Sequence, residues 1–457
     1  MAWPGINPEL GALIHPSPPE FRMCDKKLKH LLYLLAIGSA WIAGCSGPAP
    51  VVDYAFTDSL ITSYQPSAFE KLAAGDLLFW QRKLAGDPGS YSDRAAIAGD
   101  LGLRFQLHGN MADLDSARKL LTAIRAIEKD QEPGNLRSLA SLDISTHRFA
   151  SAREWAAKAL ATRSEQYASK LLYLDASFES GDYATTRSLL NDTRSTNQYG
   201  YFFREAKYQH WKGEFDSAIK YMQKAVEWAG TSVKLKQTAL SNLADLYFHN
   251  GDLTRANAIY MRSLRIDAAD FHSLAGLGKI ALLHDDSLLQ AKSIFQFIRA
   301  HNRAPEWLFY LSWVAQAAHD SKESLRYATL FEATTRDSGY GNMYNKYLLQ
   351  LYSGVLHQPQ KALLVAEKEI ANRHTPQAYA WYAWSLHLTG QDHKALEIYD
   401  HFVSGKPLEP LELYWMGKMM AKTGKGFNAR AFFEAAGRNK FDLDPDQAVD
   451  LAQALKQ

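Results

Sequence analysis

Between residues 238 and 270 the apolar positions fall at helical spacing twice over. Leu240, Leu243, Ala244 and Tyr247 occupy one face of a first helix. Asn250-Gly251-Asp252 breaks it, because glycine readily takes the left-handed conformation at a helix end. Ala256, Tyr260 and Ser263 then line one face of a second helix. Small side chains at Ala244 and Ala256 let the two helices approach closely, while Tyr247 and Tyr260 fill the space beside them. The scheme returns in AYAWYAWSLHLTGQDHKALEIYDHFVSG, with Ala383, Gly390 and Ala395, and in ELYWMGKMMAKTGKGFNARAFFEAAG, with Gly417, Gly424 and Ala429.

A small residue followed four positions later by an apolar one recurs ten times, from Ala117/Leu121 to Ala429/Phe433, at spacings of 32 to 38 residues. Chance does not hold such a period through ten steps, so the chain is an array of helix pairs and not two or three globular domains. The pattern resembles the tetratricopeptide repeat. It is met around Gly251, Gly390, Gly424 and Gly213, and weaker where Thr186 and Ser324 replace alanine or where Asp285-Asp286 replaces the turn glycine. The resemblance implies an all-α fold: a right-handed superhelical solenoid of about ten helix-turn-helix repeats over residues 92–441. Such units cannot bury their apolar faces alone, so the stack is the core. Polar caps are expected at both ends. Residues 66–91 read as an opening helix, closed by Asp87-Pro88-Gly89. Residues 442–457 read as a closing one, with Asp444 as N-cap, Pro445 at the first helical position and Gln447 reaching back. Val449, Leu451 and Leu455 are expected to cover the last repeat.

The N-terminal pattern is different. The apolar run 31–42 is too short to span a bilayer, which takes roughly 20 residues as a helix, and Lys26, Lys27 and Lys29 precede it. A basic stretch, a short apolar stretch and small residues at the cut make a secretory signal. Ile42-Ala43-Gly44-Cys45 resembles the lipobox of bacterial lipoproteins, which implies lipid on Cys45 as the new N-terminus. Residues 23–44 are then the signal and 45–65 a lipidated tether containing Gly47-Pro48-Ala49-Pro50. Residues 1–22, with five prolines, read as a mis-chosen start or an unstructured extension. Cleavage removes Cys24, the other of two cysteines, so no disulfide is possible. By the family rule Ser46 lacks the aspartate that retains many lipoproteins in the inner membrane. An outer membrane is therefore favoured where there are two.

Charge selects no partner. Of 51 basic and 49 acidic residues, 47 and 46 remain after position 44, without the clustered basic excess of a nucleic-acid footprint. Two strings imitate nucleotide sites. GLGKIA at 276–281 lies inside a first helix with no strand before it, and TGKG at 423–426 is a turn between helices. No zinc motif, serine elbow or mature thiol nucleophile is present, and His284-Asp285-Asp286 reads as a solvated corner. Neither catalytic residues nor a metal or cofactor are expected.

The aromatic content, 11 Trp and 23 Tyr, is more informative. In the family it resembles, first helices line the concave surface at fixed offsets from the small residue. Those offsets place Phe203, Lys207 and His210 inward around Ala206, and Ser241, Asp245 and Phe248 around Ala244. Around Ala383 and Gly417 they select Trp384, His387, Tyr414 and Lys418 as a candidate groove for a protein or peptide partner, with Lys418 favouring acidic segments. The expected function is a lipid-anchored, non-enzymatic interaction scaffold or assembly factor of the bacterial cell envelope. The alternative is a surface lipoprotein that captures nutrients such as glycans.

Overall fold

Ten helix pairs follow one another in the computed structural model, which describes residues 49–456 except 197, 337 and 425–428. Two single helices come first, α1 (Tyr54–Thr62) and α2 (Ala68–Gly86). The first five pairs are α3/α4 (Tyr91–His108, Met111–Glu128), α5/α6 (Pro133–Ser145, Phe149–Ala161), α7/α8 (Gln166–Ser180, Tyr183–Thr193), α9/α10 (Tyr199–Trp211, Phe215–Trp228) and α11/α12 (Val233–His249, Leu253–Ile266). The next three are α13/α14 (Phe271–Leu283, Leu288–His301), α15/α16 (Glu306–Ala317, Ser321–Thr335) and α17/α18 (Asn345–Ser353, Pro359–Asn372). α19/α20 (Pro376–Leu388, Asp392–Ile398) and α21/α22 (Pro410–Thr423, Ala429–Gly437) complete the array, and α23 (Pro445–Ala454) closes it. Among the described residues no strand occurs, and no helix is long and apolar enough to cross a membrane. The signal, the extension and Cys45 lie outside the described residues.

The recurring small residues sit where helices touch. Ala117, Ala152, Thr186, Ala218, Ala256, Ala291, Ala362 and Ala395 have no exposed surface, and Ser324 almost none. Gly276 and Gly278, whose spacing imitates a dinucleotide-binding fingerprint in sequence, are interior positions of α13. A Cβ on Gly276 would stand 2.3 Å from the Tyr260 ring, and one on Gly278 2.9 Å from Phe295. Their glycines serve packing, and a single apolar cluster runs from Val52 to Leu451, with an alanine satellite at α5–α7.

The solenoid also meets itself. The turn inside an early pair lies against a loop about one superhelical turn later, between five and six pairs on. The backbone N–H groups of Arg303, Asn342 and His374 donate to the carbonyls of His108 (2.7 Å), Thr146 (3.1 Å) and Ser180 (3.0 Å). Asparagine amides reinforce this seam: Asn302 donates to Leu107 O and Asn342 to His147 O, each across 195 residues. Asn372 donates to His147 O and accepts from Phe149 N. Approach is so close that Gly109 (φ +65) and Gly181 (φ +86) cannot carry a side chain. A Cβ there would lie 2.4 Å from Ala304 N or 2.5 Å from His374 O.

Both termini depart in part from expectation. At the C-terminus Asp444, Pro445 and Gln447 form the expected capping box and Leu451 is buried. Val449 is 58% exposed, because α23 also turns a face to α15 and only one side of so short a helix can be covered. At the N-terminus the last part of the expected tether is folded. Val51 N, Val52 N and Tyr54 Oη all donate to the Asp285 carboxylate at 2.9–3.0 Å, and α1 packs on α14. Asp285, expected in a solvated corner, has a fully buried side chain because these three donors replace its water.

Candidate functional site

A cavity of about 720 Å3 opens inside the superhelix. Its walls are the C-terminal ends of first helices α7, α9 and α11, with Glu179, Lys207, His210, Trp211 and His249. The starts of α17, α19 and α21, one superhelical turn later, face them with Lys346, Tyr347, Trp381 and Leu413. First helices line the interior because the second helix of each pair packs its small residues outward of them, so side chains near the ends of first helices reach the lumen.

Charge in the cavity is held in pairs. Lys207 Nζ lies 3.0 Å from Glu179, Lys346 Nζ 2.8 Å from Glu409, and His249 Nδ1 2.9 Å from Asp442. The Arg373 Nε donates to Glu369 at 2.5 Å, and its guanidinium lies 5.0 Å from the Trp381 ring centroid. Several of these side chains are part-exposed, Lys346 and Glu409 being 37% and 46% exposed, but they face a cavity walled by helices of two superhelical turns. Their electrostatics are therefore those of an interior. The Lys346 ammonium holds the Glu409 carboxyl down to about 2. Burial pulls the His249 imidazole down, and the Asp442 carboxylate more than offsets this and leaves it raised. Burial, with Arg373 adding, pushes His147 down to about 4; burial and then His249 lower His210, so both rings are neutral at pH 7. Buried Glu412, whose Oε1 accepts from Trp381 Nε1 at 2.6 Å, is pushed up to about 7.

The cavity thus offers fixed pairs with spare hydrogen-bonding edges, the amides of Asn250, Asn342, Asn439 and Gln377, and the rings of Tyr183 and Trp211 stacked at 3.9 Å. Among the described residues Asn439 Oδ1 has no hydrogen-bond partner. This is chemistry for binding a polar chain. Among the described residues no cluster of three or more His, Cys, Asp or Glu side chains is placed to hold a metal ion.

Of the residues selected from sequence, Lys207 and His210 line the cavity. Trp384, His387, Tyr414 and Lys418 do not. Trp384 is 8% exposed and stacks on Trp415 at 5.8 Å, and His387 bonds Asp392 at 2.6 Å. Tyr414 Oη and Lys418 Nζ both donate to Asp450 of α23, at 2.8 and 2.9 Å. The closing helix covers Tyr414 and Lys418, while Trp384 is covered by Trp415 of the next first helix. Lys346, Arg373, Trp381 and Glu409 were not selected, because an offset within one repeat does not say which repeat lies opposite. Trp211 carried a usable signal, being the aromatic next to His210 at the same helix end.

Residues 238–270, the pair α11/α12, match the family model of the tetratricopeptide repeat. Solved structures similar to the chain include a tetratricopeptide repeat protein from Parabacteroides merdae ATCC 43184, at 12% identity, 57% of this chain, 99% of that one and a TM-score of 0.33. They also include the human IFIT1 dimer with PPP-AAAA, at 13% identity over 69% of this chain and 72% of that one, TM-score 0.43. The yeast Tom70 matches at 12% identity over 88% of this chain and 95% of that one, TM-score 0.34. No curated protein matches. One pair thus carries the sequence match to the repeat, and the described residues form an all-helical solenoid of ten such pairs in series.

Proposed function

We propose that this protein is a non-enzymatic interaction scaffold. It holds a segment of another protein in the cavity between its superhelical turns, and lipid on Cys45 tethers it to a membrane of the bacterial cell envelope, the outer one where there are two. The observation that carries the reading is the lumen itself: first helices from two superhelical turns bring rings, amides and paired ions around one open space. The lipobox-like Ile42-Ala43-Gly44-Cys45 supports the anchor. Three chains, the family rule for such lipoproteins, hold a protein where one would not.

The test is purification of the lipidated protein from its native envelope. Labelled fatty acid should be found on the wild-type protein and not on Cys45→Ser, which should wash off membranes. A protein partner should remain bound, and Leu413→Trp, which fills the lumen, should release it while the melting curve is kept. Retention of an oligosaccharide in place of protein would turn the reading to nutrient capture. Unlabelled, soluble wild-type protein would remove the anchor.

A further inference from the structure

The seam between superhelical turns is bonded at each of the first five pairs except one. Turns after α3, α5 and α7 give the carbonyls of His108, Thr146 and Ser180 to backbone N–H groups, and the turn after α11 gives that of His249 to the Asn439 amide. The turn at 211–214, after α9, gives none among the described residues. A Cβ on Gly213, or on Gly405 of the opposing loop, would meet nothing within 4 Å, where one on Gly109 or Gly181 would collide. Gly251, at the bonded turn after α11, is open too, so it is the missing bond that marks the gap.

The sequence of the opposing loop explains the gap. Residues 404–409 stand across from Gly213 by the same register. Pro407 lies three residues before Pro410, the start of α21, as Arg303 lies three before Glu306, the start of α15. Arg303 supplies the seam bond through its N–H, and proline has none to supply. The helix before the loop ends in a π turn, Tyr399–Val403, a wider coil that recurs at functional sites. The gap opens directly on the cavity. Trp211, Gly213 and Phe215 form one edge and Pro407, Leu408 and Pro410 the other, and all six line the space.

We propose that this gap is the mouth of the cavity and admits, from the side, a short extended peptide segment with an apolar side chain. That side chain lies between the rings of Trp211 and Phe215 and the Pro407-Leu408 edge. The peptide's backbone then faces the Lys346–Glu409 pair and the amides behind it. The amides behind the mouth, Asn250, Asn439 and Gln377, select an extended strand, whose backbone N–H and C=O groups are free, over a helix, whose own are already paired. The lateral opening lets an internal loop of a partner enter without threading a chain end. The proposal rests on the scaffold reading and names where and how the segment enters.

The test uses the full chain with both native cysteines changed to serine and Leu413→Cys placed inside the lumen. Two reagents are compared, a small maleimide and a maleimide carrying a six-residue extended peptide. Both should alkylate the cysteine faster than the protein unfolds, and Leu408→Trp at the mouth should slow the peptide reagent at least tenfold and the small one little. Leu408→Arg replaces it if the tryptophan variant does not fold, and an exposed Leu364→Cys should be insensitive to either change. A peptide reagent that reacts only as fast as unfolding, or at a rate independent of position 408, overturns the mouth. That failure is separable from failure of the scaffold reading. A protein retained from the envelope beside a closed gap would place capture elsewhere. An open gap with nothing retained would remove the scaffold and keep the mouth.

Discussion

At Gly276 the packing leaves no room for a methyl group. Tyr260 of the preceding pair is fully buried, and its hydroxyl is pinned to Asp245 at 2.5 Å, so the ring cannot retreat. Gly276→Ala should lose about 1–3 kcal/mol, the usual cost of overpacking a rigid core, despite its better helix propensity; denaturant unfolding measures it. The same Asp245 lies 2.6 Å from His272 Nε2 and holds that imidazole up to about 9 from 6.5. A raised folded-state value means the pair stabilises fully below about pH 6.5, and that contribution is lost as pH rises through about 9. Melting temperature should therefore fall over that window in the wild type. His272→Gln should flatten the fall, and an unchanged slope would assign it to other groups.

On the scale of helices, the N-terminal strap is where sequence and structure part. The period, the paired helices and the capping box around Asp444 were legible because each is a local pattern, spelled out within one or two turns of chain. The docking of Val51, Val52 and Tyr54 on Asp285 was not, because its partners stand 231–234 residues apart and nothing in the string His284-Asp285-Asp286 names them. Trp384 and Tyr414 show the same limit. Their inward offset could be read, but what occupies that side could not: Trp415 lies on Trp384, and Asp450 of the closing helix on Tyr414. The strap gives a direct prediction. Asp285→Ala leaves two backbone N–H groups and a tyrosine hydroxyl without their charged acceptor, each such bond being worth about 1.5–3 kcal/mol. The strap should then detach locally, exposing residues 50–62 to protease while the repeats stay folded. Resistance equal to wild type would mean that α1 packing alone holds it.

For the molecule as a whole, the seam changes what kind of solenoid this is. In an open array each repeat touches only its neighbours, and stability is a sum of near-neighbour steps. Here repeats five and six places apart are joined by backbone bonds and by Asn302, Asn342 and Asn372, which encloses the lumen and leaves the Gly213–Pro407 step as its one unbonded place among the described residues of the first five pairs. Residue-resolved native-state hydrogen exchange on the full chain measures this directly. The Arg303, Asn342 and His374 amides, each in a loop, should be protected as strongly as amides in mid-helix, while that of Leu408 exchanges as an open loop. Exchange of all four at the Leu408 rate would contradict a closed seam.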